Sequence, residues 1–214
     1  MKRLRLVLAD DHQIVVEGVK ALLAPEFDVV ATAPDGREVL EAAEAHNPDI
    51  VLLDISMPGL NGIEAARRLK ELCPHTKMIV LSMHWDLSFV RAAFEAGVSG
   101  YVLKQSAAAE LVRAIHGVGK GQRYLSELIE KRLGPEAREV MRRNRKPSAE
   151  LTARQREVLQ LLAEGRARKE IAQILNLSVK TVEFHRREIC GRLAINTNAE
   201  LTAYAIRHGI ASLE

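Results

Sequence analysis

The chain has 214 residues, a formal charge of +3 and 47% hydrophobic side chains, enough for packed cores in one large or two small domains and too much for an intrinsically disordered chain. No apolar run approaches the ~20 residues of a membrane span, and no signal-peptide core follows Met1-Lys2-Arg3. Cys73 and Cys190 lie in separate segments without metal-ligand spacing, so reduced thiols in a cytoplasmic protein with no membrane partner are expected.

In chain order, residues 4–9 alternate and then run apolar into Asp10-Asp11, a first strand. Residues 13–23 carry Val15, Val16, Val19, Leu22 and Leu23 at helical spacing. A strand over 27–33 and a helix over 36–46 follow, and then the short buried strand Ile50-Val51-Leu52-Leu53, which ends in Asp54 and breaks at Pro58-Gly59. The pattern continues with a helix over 63–72, a strand over 77–82, a helix over 86–96 closed by Gly97, a strand over 100–104 and a helix over 107–118. Five strands alternating with five helices imply a doubly wound, five-stranded parallel sheet covered on both faces, an α/β flavodoxin-like domain over residues 1–121. If the acids after the first and third strands are to meet, the strand order is 2-1-3-4-5.

Residues 122–147 are rich in Arg and Glu around Gly134-Pro135 and end in the run Arg142-Arg143-Asn144-Arg145-Lys146-Pro147. They are expected to form a partly helical linker whose basic end adds weak attraction to phosphates. Residues 148–214 then form an all-helical domain. Thr152-Ala153-Arg154-Gln155 fits a capping box, and helices are expected over 168–175, 179–193 and 198–208, with Asn176-Leu177-Ser178 as a tight turn. The two ends differ in charge: the first 121 residues carry a net −3 and the remainder +6, which points the second part toward a polyanion.

The strand ends of the first domain carry its chemistry. Asp10, Asp11 and Asp54 converge on the carboxyl edge of the sheet, where open parallel sheets bind ligands, together with Ser82 and Lys104. Three carboxylates repel one another unless a cation joins them, and a hard divalent ion, Mg²⁺ or Mn²⁺, suits oxygen donors. With no His or Cys cluster beside the acids, zinc is disfavoured; His12 and His84 flank the site and read as surface loop residues. Carboxylates, metal, lysine and a hydroxyl suit a phosphoryl group arriving on Asp54 in an in-line transfer.

Asp10-Asp11, Asp54 with Met57-Pro58 and Gly62, Ser82, and Tyr101 three before Lys104 together resemble a response-regulator receiver domain. The resemblance implies that Asp54 accepts phosphate from a sensor histidine kinase. It also implies that Asp11 and Asp54 ligate Mg²⁺, with Asp10 acting mainly through water and the Ser56 main-chain carbonyl as the third protein ligand. Ser82 and Tyr101 form the implied switch, the hydroxyl turning to the phosphate and the ring following inward. Gln105 departs from the Pro that receivers often carry after the lysine.

In the tail, a capped helix, a short helix, a three-residue turn and a basic helix make a helix-turn-helix. Val182, Ile189 and Leu193 are expected inside, leaving Lys180, Thr181, Glu183, Phe184, Arg186 and Arg187 on an outer face suited to the major groove of double-stranded DNA. Leu151-Thr152, Glu157-Val158-Leu159, Gly165, Lys169-Glu170-Ile171-Ala172, Ser178 to Val182 and His185 are similar to the four-helix domain of LuxR-type regulators, and the two domains together resemble the NarL/FixJ class. The resemblance implies groove contacts from Glu183, Phe184 and Arg187, phosphate contacts from Lys180, Thr181 and Arg186, and an activated homodimer formed through residues 198–204. Ala194 and Asn198 stand where the family often has Gly and Arg. Two other readings stay open. One is a phosphorylation-independent regulator whose receiver only dimerises; the other is a haloacid-dehalogenase-type phosphatase, against which Ser56 stands where a second Asp is needed.

Overall fold

The computed structural model describes residues 3–106, 108–142 and 151–211. The chain divides into two compact units, Met1–Lys146 and Pro147–Glu214. Among the described residues no helix is long and apolar enough to cross a membrane.

The first unit alternates β1 (Arg5–Ala9), α1 (Gln13–Leu23), β2 (Asp28–Ala33), α2 (Gly36–His46), β3 (Ile50–Leu53), α3 (Gly62–Leu72), β4 (Lys77–Ser82), α4 (Leu87–Glu95), β5 (Gly100–Leu103) and α5 (Ala108–Gly119). The order 2-1-3-4-5 is present, but the sheet has six strands rather than five. The chain continues through β6 (Tyr124–Leu125), α6 (Glu127–Leu133) and α7 (Pro135–Arg142), and β6 lies parallel beside β5. The expectation of a linker over 122–147 is corrected accordingly. Its helical content is present, but residues 124–142 belong to the first unit, with Leu125, Ile129 and Ala137 inside its core. The charged run 143–147 lies outside the described residues.

Side chains alternate across the strands, so each strand feeds both faces. Val7, Val51, Leu53, Val80 and Tyr101 pack with α2, α3, α4, α6 and α7, whereas Leu6, Leu8, Leu52, Ile79 and Val102 pack with α1 and α5. Each helix start has a local cause. Asp35 caps α2 by accepting from the Arg37 and Glu38 N–H groups, and Asn61 caps α3 by accepting from Glu64 N–H.

The second unit contains α8 (Ala153–Ala163), α9 (Arg168–Ile174), α10 (Val179–Leu193) and α11 (Asn198–Arg207) around Val158, Leu161, Ile171, Val182, Ile189 and Leu201. The capping box of Thr152 and Gln155 closes α8, and Ser178 caps α10. Thr197 and Glu200 form a further box on α11. Ala194 ends α10 at φ 53°, a left-handed position that strains a residue with a Cβ and explains the usual glycine there.

Candidate functional site: an acid cluster with a bridging lysine and a basic recognition helix

The row of acids comes from the sheet ladder running one residue past each strand. Asp10 N–H donates to Ala33, Asp54 N–H to Ala9 and Lys104 N–H to Ser82, which holds the three side chains in register at one edge. Asp10 and Asp54 are each 3% exposed. The Lys104 ammonium lies 2.6 Å from Asp10 Oδ2 and 2.8 Å from Asp54 Oδ2, joining the ends of β1, β3 and β5. Burial pushes the Asp54 carboxyl above its ordinary value and the charge of Asp10 adds to this, while Lys104 and the Ser56 N–H oppose it. Burial alone pulls Lys104 down, but its hydrogen bonds and charge pairing with Asp10 and Asp54 outweigh that and hold the ammonium above its usual range.

Gly62 fixes the loop behind the acceptor. A Cβ there would fall 1.9 Å from the Asp54 carbonyl oxygen, so only glycine lets α3 start this close to β3. Asp11 stands at the rim with Asp10, and ligand atoms of Asp10, Asp11, His12 and Asp54 all lie within 4.8 Å of one another. Hard oxygen donors at that spacing fit a small divalent cation, whose trans ligands stand about 4.2 Å apart. Ser56 follows Asp54 with its N–H on the acceptor carboxylate.

Two residues read as surface loop positions are drawn into the site. His84 accepts the Tyr101 hydroxyl on its carbonyl at 2.8 Å and donates its N–H to Ser82 Oγ at 3.1 Å. Its ring Nε2 lies 3.1 Å from Ser56 Oγ, and the ring stacks on Phe89 of α4 at 4.4 Å. Burial lowers its pKa, against the pull of Asp54 and Asp86. His12 turns Nδ1 toward Asp11 Oδ1 at 2.8 Å and Asp10 Oδ1 at 3.4 Å. A lone histidine in a loop has no spacing signal, so neither contact is readable from the chain. Tyr101 is 0% exposed, its ring already inside, and burial pushes its hydroxyl far above the ordinary value. Trp85 lies beneath the Arg132 guanidinium of α6 at 4.9 Å.

On α10, Lys180, Phe184 and Arg187 are exposed and share one stripe at spacings of four and three. The other expected contacts already have partners. Thr181 Oγ1 lies 2.8 Å from Ser178 Oγ, Arg186 donates to Asn198 Oδ1 at 3.1 Å, and Glu183 pairs with Arg168 of α9.

A doubly wound sheet with a lysine-bridged acid cluster, followed by a helix-turn-helix, defines a phosphoacceptor-type regulator. The family models agree: residues 6–116 match the response regulator receiver domain, and residues 149–205 match the bacterial regulatory proteins of the luxR family. The chain is 36% identical to the transcriptional regulatory protein DegU of Brevibacillus brevis, covering 97% of this chain and 94% of that one. It is 33% identical to the response regulator UvrY of Escherichia coli K12, covering 99% and 97%. Among solved structures it is similar to RcsB of Salmonella enterica serovar Typhimurium bound to promoter rprA in the presence of the phosphomimetic BeF3⁻. That match has 26% identity and a TM-score of 0.62, covering 95% of this chain and 98% of that one. The chain belongs to the DNA-binding response regulators of two-component systems with a LuxR-type domain, the NarL/FixJ class.

Proposed function

We propose that Asp54 accepts a phosphoryl group from the phosphohistidine of a sensor kinase and that this modification controls dimerisation and DNA binding in the cytoplasm. The Lys104 ammonium, 2.8 Å from Asp54 and 2.6 Å from Asp10, carries the reading. An Asp54 oxygen attacks phosphorus in line; the O–P bond forms as the P–N bond breaks, and the kinase imidazole leaves with the electron pair. Lys104 follows the developing charge to a phosphoryl oxygen. Ser82 turns its hydroxyl hydrogen to a second oxygen while still accepting from His84 N–H. Asp10, Asp11, Asp54 and the Ser56 main-chain carbonyl would hold Mg²⁺, or Mn²⁺ in its place. The bound ion supplies neutralisation of phosphoryl charge.

In the second unit, Lys180, Thr181 and Arg186 serve DNA phosphates, and Glu183, Phe184 and Arg187 face the major groove, with residues 198–204 at the dimer contact. The chain is a stoichiometric acceptor rather than a turnover enzyme, since Ser56 stands where a dehalogenase-type phosphatase needs an acid/base Asp. Intact-mass analysis after acetyl phosphate and Mg²⁺, with gel filtration in parallel, tests the reading. A single labile phosphoryl adduct, lost in Asp54→Ala and accompanied by dimer, is expected. An unmodified wild type that still binds DNA returns the receiver to a phosphorylation-independent dimerisation module. Sustained hydrolysis of a generic phosphomonoester would make it an enzyme.

A further inference from the structure

Glu183 is an acid in the second turn of α10, beside the exposed basic stripe of Lys180, Phe184 and Arg187. Lys180 and Arg187 stand one turn away on the same helix, yet its partner is Arg168, the first residue of α9. The contact joins Arg168 Nε to Glu183 Oε1. Among the described residues, the Nη groups of Arg168 and Oε2 of Glu183 take no other partner. The two side chains are 51% and 33% exposed, and an ion pair so open to water adds little to stability. The apolar core shared by Ile171, Ala172, Val182 and Ile189 holds α9 and α10 together instead.

We propose that Arg168 and Glu183 form one reading unit. Glu183 accepts the amino group of a cytosine in the major groove, while Arg168 positions that carboxylate and gives its outer N–H groups to a backbone phosphate. The placement follows from the helix-turn-helix: the early turns of its second helix meet base edges, and its first helix crosses the backbone. The major groove offers two donors, cytosine N4 and adenine N6, and adenine sets its N7 acceptor beside the donor. A carboxylate has no hydrogen for N7, so cytosine is the base that it fits. Unpaired, the acid would be repelled by the phosphates on either side; the guanidinium offsets that charge and fixes the carboxylate's orientation. Its rigid fork of five N–H groups lets one arginine serve carboxylate and phosphate together. The inference rests on the groove-facing reading of α10 given above and adds to it the base that is read and a positioning residue from another helix.

The test selects bound duplexes from a randomised DNA library with the full chain, treated with acetyl phosphate and Mg²⁺, and sequences them. The wild type is expected to prefer cytosine by about tenfold at one position for each bound chain. Glu183→Gln is expected to move that preference to adenine, whose N6 and N7 an amide satisfies, and to leave the other positions unchanged. Arg168→Gln is expected to cut the cytosine preference to less than about threefold. It is also expected to lower the slope of log K against log salt by about 0.9, measured by fluorescence anisotropy. A merely structural Arg168 would weaken all sequences alike and leave the cytosine preference intact, and that result overturns the inference. A Glu183→Gln profile identical to that of the wild type overturns it as well. A wild type that enriches no sequence overturns the groove-facing reading itself, a distinguishable result.

Discussion

Asp54 is held in a place that disfavours its own charge. Its folded value lies above the ordinary 3.8, so its contribution to stability is fully present below that pH and is lost as pH rises through the folded value. Asp54→Asn is therefore expected to raise the thermal midpoint of the unphosphorylated chain at pH 7. The gain is about 1 kcal/mol, or roughly 2–4 °C, and fades below pH 3.8. Equal midpoints at pH 7 by differential scanning calorimetry would refute it. The acid row was legible because strand-terminal residues of a doubly wound sheet must share an edge, which fixed Asp10, Asp54, Ser82 and Lys104 together. Tyr101 was legible only through its spacing to Lys104. His12 and His84 were not legible, because the turns that aim them depend on φ and ψ rather than on residue type. On α10, side-chain partners on other helices hid which expected contacts stand open: nothing in the sequence pairs Glu183 with Arg168 or Arg186 with Asn198.

At the scale of elements, β6 and α6 fasten to the core through one carboxylate. Glu110 accepts the Glu127 N–H at 2.8 Å, at the start of α6. Ser126 N–H donates to the Tyr101 carbonyl, and its hydroxyl lies 3.1 Å from that of Ser106. Burial alone would raise the Glu110 pKa, but hydrogen bonds from Ser106, the Glu127 N–H, Ser126 and Tyr124 outweigh it and hold the carboxyl below its ordinary 4.5. A depressed value means stability present above pH 4.5 and lost as pH falls through the folded value. Glu110→Gln is expected to cost about 1–3 kcal/mol at neutral pH and to flatten the acid limb of the unfolding curve. Faster amide exchange at residues 124–127 would locate the loss; an unchanged acid limb would sink the claim. These elements escaped the sequence because two residues cannot display a period, and Gly134-Pro135 amid charged side chains reads as a tether. The longer strands and helices each presented a whole face and fell within a residue or two of their expected bounds.

Negative charge is concentrated in the first 121 residues, and the basic residues up to Lys146 bring the first unit to a net +1 beside +2 for the second. A phosphoryl group on Asp54 would add about 1.5–2 negative charges to the first unit, while Lys180, Arg186 and Arg187 of the second meet a polyanion whose counterions they release. Each lysine bound to phosphate steepens the dependence of log K on log salt by about 0.9. Lys180→Gln is thus expected to lower that slope by about 0.9 on any duplex, measured by fluorescence anisotropy across a salt series. An unchanged slope would remove Lys180 from the phosphate contacts.

The short strand β6 has a further consequence for the life of the chain. Tyr124 and Ser126 N–H groups take up the Ser99 and Tyr101 carbonyls, so two residues cap the open flank of β5 at Gly100-Tyr101. A chain ending near residue 121 would present that apolar flank as a bare template for strand addition by its own copies. The same hazard exists during synthesis, until the ribosome has delivered residues 124–126. The two-residue strand is in this sense a guard against aggregation, built from the stretch that composition alone assigns to a tether.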